Sequence, residues 1–162
     1  MVTGPKENGL SPMPVLDHLN VRLARPDDAA TIASFSAAMA LETEGRRLDL
    51  DRMQLGTIAL IETPARGLFL VAELEQDDHR QLLGQLMVTY EWSDWRNGVF
   101  WWVQSVYVDR TWRRQGVFRR MHQAVLQEAR TRTDVCGVRL YVDKDNPIAH
   151  ITYERLGLIR SA

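Results

Sequence analysis

Apolar residues change their spacing along this chain, and the changes mark its elements. Ile32, Phe35 and Met39 recur at helical intervals behind Pro26-Asp27-Asp28. Proline suits a first helical turn and carboxylates suit its positive end, so a helix is expected to start there. Gly45 punctuates it, a second helix is expected over Leu50–Ile61, and Pro64 and Gly67 close that stretch. Strand-length runs come before and after: Asn20–Ala24, then Gly67–Leu74. From Leu82 to Tyr90 the pattern alternates, with Leu82, Gly84, Leu86, Val88 and Tyr90 on one face and Gln85, Thr89 and Glu91 on the other. Asp77-Asp78-His79 and Asn97-Gly98 are turn signals on either side of it, and Phe100–Val108 follows as another strand. The three runs predict an antiparallel meander. The period then becomes helical: Val117, Met121, Ala124, Val125 and Ala129 place an amphipathic helix over Val117–Thr133. A strand over Val138–Val142, a helix over Pro147–Leu156 and a stop at Gly157 complete the chain. A strand–helix–strand unit of this length favours two parallel strands with a right-handed crossover. The expected fold class is α/β (α+β), a mixed and mostly antiparallel sheet flanked by helices.

Composition narrows the function without naming it. The chain has 162 residues, 45% apolar and 25% charged, which suits a single globular domain. Residues 1–18, with Gly4, Pro5, Gly9, Pro12 and Pro14, read as a flexible N-terminal arm, and residues 19–162 as the domain. A net charge of −1 gives no global field for nucleic acid or a membrane surface. No apolar run approaches the roughly 18 residues of a membrane span, and Met1–Asn20 lacks the apolar stretch of a secretory leader. The single cysteine, Cys136, implies no internal disulfide. A cytoplasmic protein is expected, binding neither nucleic acid nor membrane.

The densest local charge lies at a strand-to-helix turn. In Arg113-Arg114-Gln115-Gly116-Val117-Phe118, Gly116 sits where the chain enters the helix, and Arg113, Arg114, Arg119 and Arg120 surround it. The first N–H groups of a helix lack internal partners and carry partial positive charge, so such a turn can hold a phosphate. Many α/β proteins also turn through a glycine beside solvated arginines with no ligand, and the turn alone leaves both readings open. Asn146 before Pro147 reads as a helix cap. Tyr153, four residues after Ala149, shares a helix face with it, as a core or rim aromatic or as a ligand-facing phenol.

Together these two segments resemble the GNAT family of N-acetyltransferases. A strand followed by Arg113-x-x-Gly116-x-Phe118 is similar to that family's acetyl-CoA signature, Arg/Gln-x-x-Gly-x-Gly/Ala, with Phe118 where a small residue is usual. Asn146, Ala149, Tyr153 and Gly157 match its second signature, with Leu158 in place of phenylalanine. The resemblance spans roughly residues 20–158 and implies acetyl-CoA as cosubstrate, with no metal. It places the pantetheine arm along Val106, Tyr107 and Val108 and near Asn146. The pyrophosphate would lie on the amides of Arg114, Gln115, Gly116, Val117, Phe118 and Arg119, with Arg113 beside them. It makes Tyr153 the general acid toward the departing thiolate, a match in basicity since a phenol titrates near about 10. It also puts a carbonyl-polarising backbone amide near Val106.

The acceptor side is less specified. The resemblance implies transfer to a primary amine of a small molecule or peptide. A base is needed, and Glu91 at its strand end is the first candidate, with Glu42 and Glu44 beside it; each also reads as a solvated surface charge. Trp92 and Trp95 flank a turn and could present aromatic faces to a cationic amine. His79, His122 and His150 show no metal-ligand spacing with Cys136, which reads as a small structural residue. The family continues beyond Gly157 with one more strand, and only a few residues follow here, so the last strand is expected to be short or missing. An open sheet edge invites pairing, which makes a homodimer an expectation. The alternative to an active enzyme is a catalytically weak or inactive acyl-CoA-binding domain of this kind.

Overall fold

A computed structural model describes residues 15–76, 78–142 and 146–159 of the chain. The strands are β1 (Leu19–Leu23), β2 (Gly67–Gln76), β3 (His79–Ser93), β4 (Gly98–Val108) and β5 (Val135–Leu140). The helices are α1 (Ala29–Glu44), α2 (Leu50–Ile61), α3 (Val117–Thr131) and α4 (Pro147–Arg155). The strands lie in chain order, β1-β2-β3-β4-β5. The first four are antiparallel neighbours and β5 joins β4 in parallel. The crossover through α3 is what makes a parallel pair possible. The mixed, mostly antiparallel sheet with flanking helices is the expected class.

Both faces of the sheet are covered. On one, Val117, Met121 and Val125 of α3 pack onto Leu86, Val88, Trp101 and Val103. On the other, Ile32 of α1 packs with Phe69 and Val71, and Leu60 and Ile61 of α2 adjoin them. Two-sided cover explains where alternation misled. Gln85, expected on a polar face, is fully buried, and its Nε2 donates to Ser36 Oγ on α1 at 2.9 Å. Leu82 also leaves its expected face. Ala72 pairs with Gly84 and Glu73 with Leu82, so Leu83 is an extra residue in β3 and reverses the alternation there.

Helix and strand ends moved for local reasons. The turn Pro26–Asp28 is 3-10, and the α-helix proper starts at Ala29. Instead of capping α1, the Asp28 carboxylate takes the Arg25 amide at 2.7 Å and the Arg22 guanidinium at 2.7 and 3.0 Å. Arg22 also reaches Glu73 at 2.5 Å, forming a largely buried triad that the sequence does not reveal. Strand β5 starts at Val135, three residues before the expected Val138, because Val135 and Gly137 pair with Val99 and Phe100. Cys136 is the extra residue between them and is exposed. Residues 1–14 of the expected arm, and Asp77, lie outside the described residues; Val15–His18 form a 3-10 turn. Among the described residues no strand follows α4, and no helix is long and apolar enough to cross a membrane.

Candidate active site

The site begins with a defect in β4. Gln85 pairs with Tyr107 and Met87 with Gln104, three steps on β4 against two on β3. Ser105, at φ 50°, lies in this bulge. A bulge bends its strand and takes a residue out of the ladder. The pairing of β4 with β5 runs only from Val99 to Val103. The two parallel strands therefore part beyond Val103, and the β5-side backbone of Gln104–Val108 has no strand partner among the described residues. Val106 and Val108 turn toward the α3 side. Tyr107 turns to the other, against Phe35 of α1 with ring centroids 5.2 Å apart.

Beyond β4 the chain makes a tight basic turn. Asp109 caps it, its carboxylate accepting from the Thr111 amide at 2.9 Å and hydroxyl at 2.6 Å. Arg114 then takes φ 64° and Gly116 φ 85°. Left-handed residues next to a helix start turn successive N–H groups inward, a concavity suited to an anion. Gly116 holds that conformation without the Cβ penalty; Arg114 holds it against one. The first intrahelical bond of α3 runs from Arg120 N to Gly116 O at 3.1 Å, so the amides of residues 117–119 have no carbonyl of their own helix.

This turn opens into a cavity of about 790 Å³. Val108, Arg114, Gly116, Phe118 and Arg119 line one wall; Asn146, Ala149 and Tyr153 of the second motif line the other. Asn146 caps α4, its Oδ1 accepting from Ala149 N at 3.0 Å. Gly157 ends that helix through bonds to Glu154 O at 3.0 Å and from Leu158 N to Tyr153 O at 3.1 Å. Two segments far apart in sequence thus meet across one cleft. The Tyr153 phenol is raised above its ordinary range by burial. Tyr153 also lines a second cavity of about 620 Å³, with Phe100, Trp102, Arg139, Tyr141 and His150.

Comparison with known proteins decides the family. The model of the acetyltransferase (GNAT) family matches residues 34–158. The chain belongs to the GNAT acetyltransferase family. A possible acetyltransferase from Clostridium difficile 630 is 41% identical, over 89% of this chain and 92% of that one, with TM-score 0.81. Two more distant structures share the fold at 16% identity. One is a predicted acetyltransferase with acetyl-CoA from Clostridium acetobutylicum, covering 88% and 91% of the two chains at TM-score 0.69. The other is an aminoglycoside acetyltransferase from an uncultured soil metagenomic sample in complex with sisomicin, covering 91% and 94% at TM-score 0.71. Comparison with curated proteins gives no significant match. The GNAT family uses acetyl-CoA as acyl donor.

Within this acetyltransferase chain, several candidates lie elsewhere than the cleft. Arg113 lines the cleft but its polar end is tied back toward α1: its Nε donates to the Val108 carbonyl at 2.8 Å and its guanidinium to Glu42 at 2.9 Å. Gln115 folds back onto the Thr111 carbonyl at 3.0 Å and does not line the cavity. Arg120 does not line it either, so Arg113, Arg114 and Arg119 are the arginines at its α3 wall. Glu42 is no free base. Burial opposes its charge, but hydrogen bonds from Arg113, Arg110 and Tyr107 outweigh that and hold its carboxyl below the usual range. Glu91 lines neither cavity and accepts from Trp102 Nε1 and from Arg139 at 3.5 Å. Trp92 and Trp95 are 62% and 91% exposed and line neither cavity. The bulge at Ser105 and the left-handed Arg114 escaped the sequence reading, since neither serine nor arginine signals such a conformation.

Proposed function

We propose that this GNAT acetyltransferase moves an acetyl group from acetyl-CoA directly to a primary amine of a small molecule or peptide. One observation carries the reading: Val108 at the end of the unpartnered stretch of β4, the amide turn at Arg114–Arg119 and the Tyr153 phenol border a single cleft. The residues fit the cosubstrate. A basic turn with free helix-start amides suits a pyrophosphate, and an unpaired strand edge suits an amide-bearing arm that adds like a strand. When bound, acetyl-CoA supplies the acyl group as a thioester. The backbone of Val106–Val108 aligns the arm, Arg114, Arg119 and the α3 amides hold the anionic end, and Asn146 borders the cleft opposite. The freed backbone near Val106 offers an N–H where carbonyl charge develops. Tyr153 holds the proton that the leaving sulfur takes.

Glu91 is not drawn to this centre by its contacts, so the chain's part in removing the amine proton is left to solvent reached through the open cleft.

The test is release of free thiol from acetyl-CoA across a panel of amines. Tyr153→Phe should lower kcat by about a hundredfold, the range of a lost general acid, with acetyl-CoA affinity kept. Equal turnover by the variant removes Tyr153 from the acid role. Thiol release by no amine, with acetyl-CoA still bound, favours the acyl-CoA-binding alternative.

A further inference from the structure

We propose that Phe118 is a positioning residue, its ring set edge-to-face against Tyr153 so that the phenol is held at the cleft and shielded from water. The inference rests on the acyl-transfer reading above and extends it to a residue where this chain departs from the family's sequence pattern. A side chain of this size at the start of α3 has to go somewhere. It stands with its ring centroid 5.5 Å from that of Tyr153, the planes 72° apart. His122, one turn further along α3, lies behind it at 5.9 Å. Edge-to-face contact at such separations is favoured by the ring quadrupoles and restricts how either ring turns.

The two partners are anchored very differently. Phe118 joins the packed cluster of Val117, Met121 and Val125 on α3. Helix α4 is nine residues long and buries none of them. None of its side chains is locked in the core, and Phe118 supplies a ring contact directly to the phenol-bearing residue. The small residue of the family pattern could not reach across. Phe118 thus offsets the loose seating of α4 and lines the same cavity as Tyr153.

The neighbourhood lets this be read by titration. On α3 and the turn, the charged or titratable groups beside the ring are Arg113, Arg114, Arg119 and His122. On α4 and β5 they are His150, Glu154, Arg155 and Arg139. The cause of the raised Tyr153 value is burial. Removing the Phe118 ring hydrates the phenol and should lower its titration midpoint.

The experiment uses the full chain labelled with 3-fluorotyrosine, with the Tyr153 resonance identified from Tyr153→Phe. In Phe118→Ala that resonance should shift and titrate at lower pH, toward the midpoint of free 3-fluorotyrosine. With an amine substrate, kcat should fall about tenfold while acetyl-CoA affinity stays within about threefold, a loss confined to the chemical step. The alkaline limb of the kcat profile should move down with the Tyr153 midpoint. Phe118→Leu, which keeps apolar volume without a ring, should fold, hold most of the midpoint and give an intermediate kcat. An unchanged Tyr153 resonance and titration in Phe118→Ala overturns the proposal whether or not a substrate is in hand. A shifted titration in a chain that acetylates nothing supports the contact and counts against the acyl-transfer reading instead.

Discussion

Glu42, near the end of α1, accepts a hydrogen bond at 2.9 Å from Arg113, the residue that opens the Arg-x-x-Gly turn. Arg110 Nε donates to the same carboxylate at 2.8 Å and the Tyr107 hydroxyl at 3.1 Å. One carboxylate on α1 thereby fastens both ends of the loop entering the basic turn. Glu42→Ala should weaken acetyl-CoA binding about fivefold, close to the ~1 kcal/mol that several partly exposed charge contacts supply together. Titration calorimetry reads this directly. Tighter binding in the variant would mean that the negative charge of Glu42, rather than its anchoring, dominates at the turn.

Gly116→Ala tests the turn itself. Its φ of 85° costs an L-residue about 1–2 kcal/mol. The thermal midpoint should fall by roughly 2–4 °C per kcal/mol at this chain length, and acetyl-CoA affinity should fall with it. A calorimetric scan showing no change would mean the turn tolerates a Cβ, and the amide geometry inferred at Arg114–Arg119 would be in error.

Acid stability follows from Arg22, Asp28 and Glu73. Burial opposes the Asp28 charge, but bonds from Arg22 and the Arg25 amide prevail, and its carboxyl sits below the usual range. The Glu73 carboxyl is lowered chiefly by its hydrogen bond from Arg22. Groups with depressed folded values bind fewer protons folded than unfolded, so their stabilisation is present above the ordinary carboxylate range of about 4 and lost below it. Glu73→Gln should cost about 3 kcal/mol at neutral pH, as expected when one partner leaves a buried ion cluster. Urea melts from pH 7 to pH 3 should also show a shallower loss in the variant. Parallel curves would assign the acid sensitivity to other groups.

His122 acts in a different window. It is 1% exposed, its Nε2 has no partner among the described residues, and burial lowers its value. The unfolded chain then binds the extra proton first, so stability declines as pH falls below about 6.5. His122→Leu should flatten that decline and, by removing an unsatisfied buried nitrogen, raise stability at pH 7 by about 1 kcal/mol. A variant that melts along the wild-type curve from pH 5 to pH 8 would show that His122 finds a partner.

Periodicity alone determined much of this protein. Ile32, Phe35 and Met39 marked α1, Val117, Met121 and Val125 marked α3, and Gly116 and Asn146 marked helix starts. Each of these signals is local: a helix face repeats every few residues, and a cap bonds within its own turn. The pairing of Arg113–Phe118 with Asn146–Gly157 was also legible, because the two patterns fall on the same chain in a fixed order. Tertiary structure decided the rest. Gln85 and Glu73 are buried because helices cover both sheet faces, which no alternation along one strand can report. The parting of β4 from β5 depends on a bulge at Ser105, and a bulge exists only relative to a partner strand. Arg113 is tied to Glu42, and Phe118 lies against Tyr153, because those contacts join residues that only the fold makes neighbours.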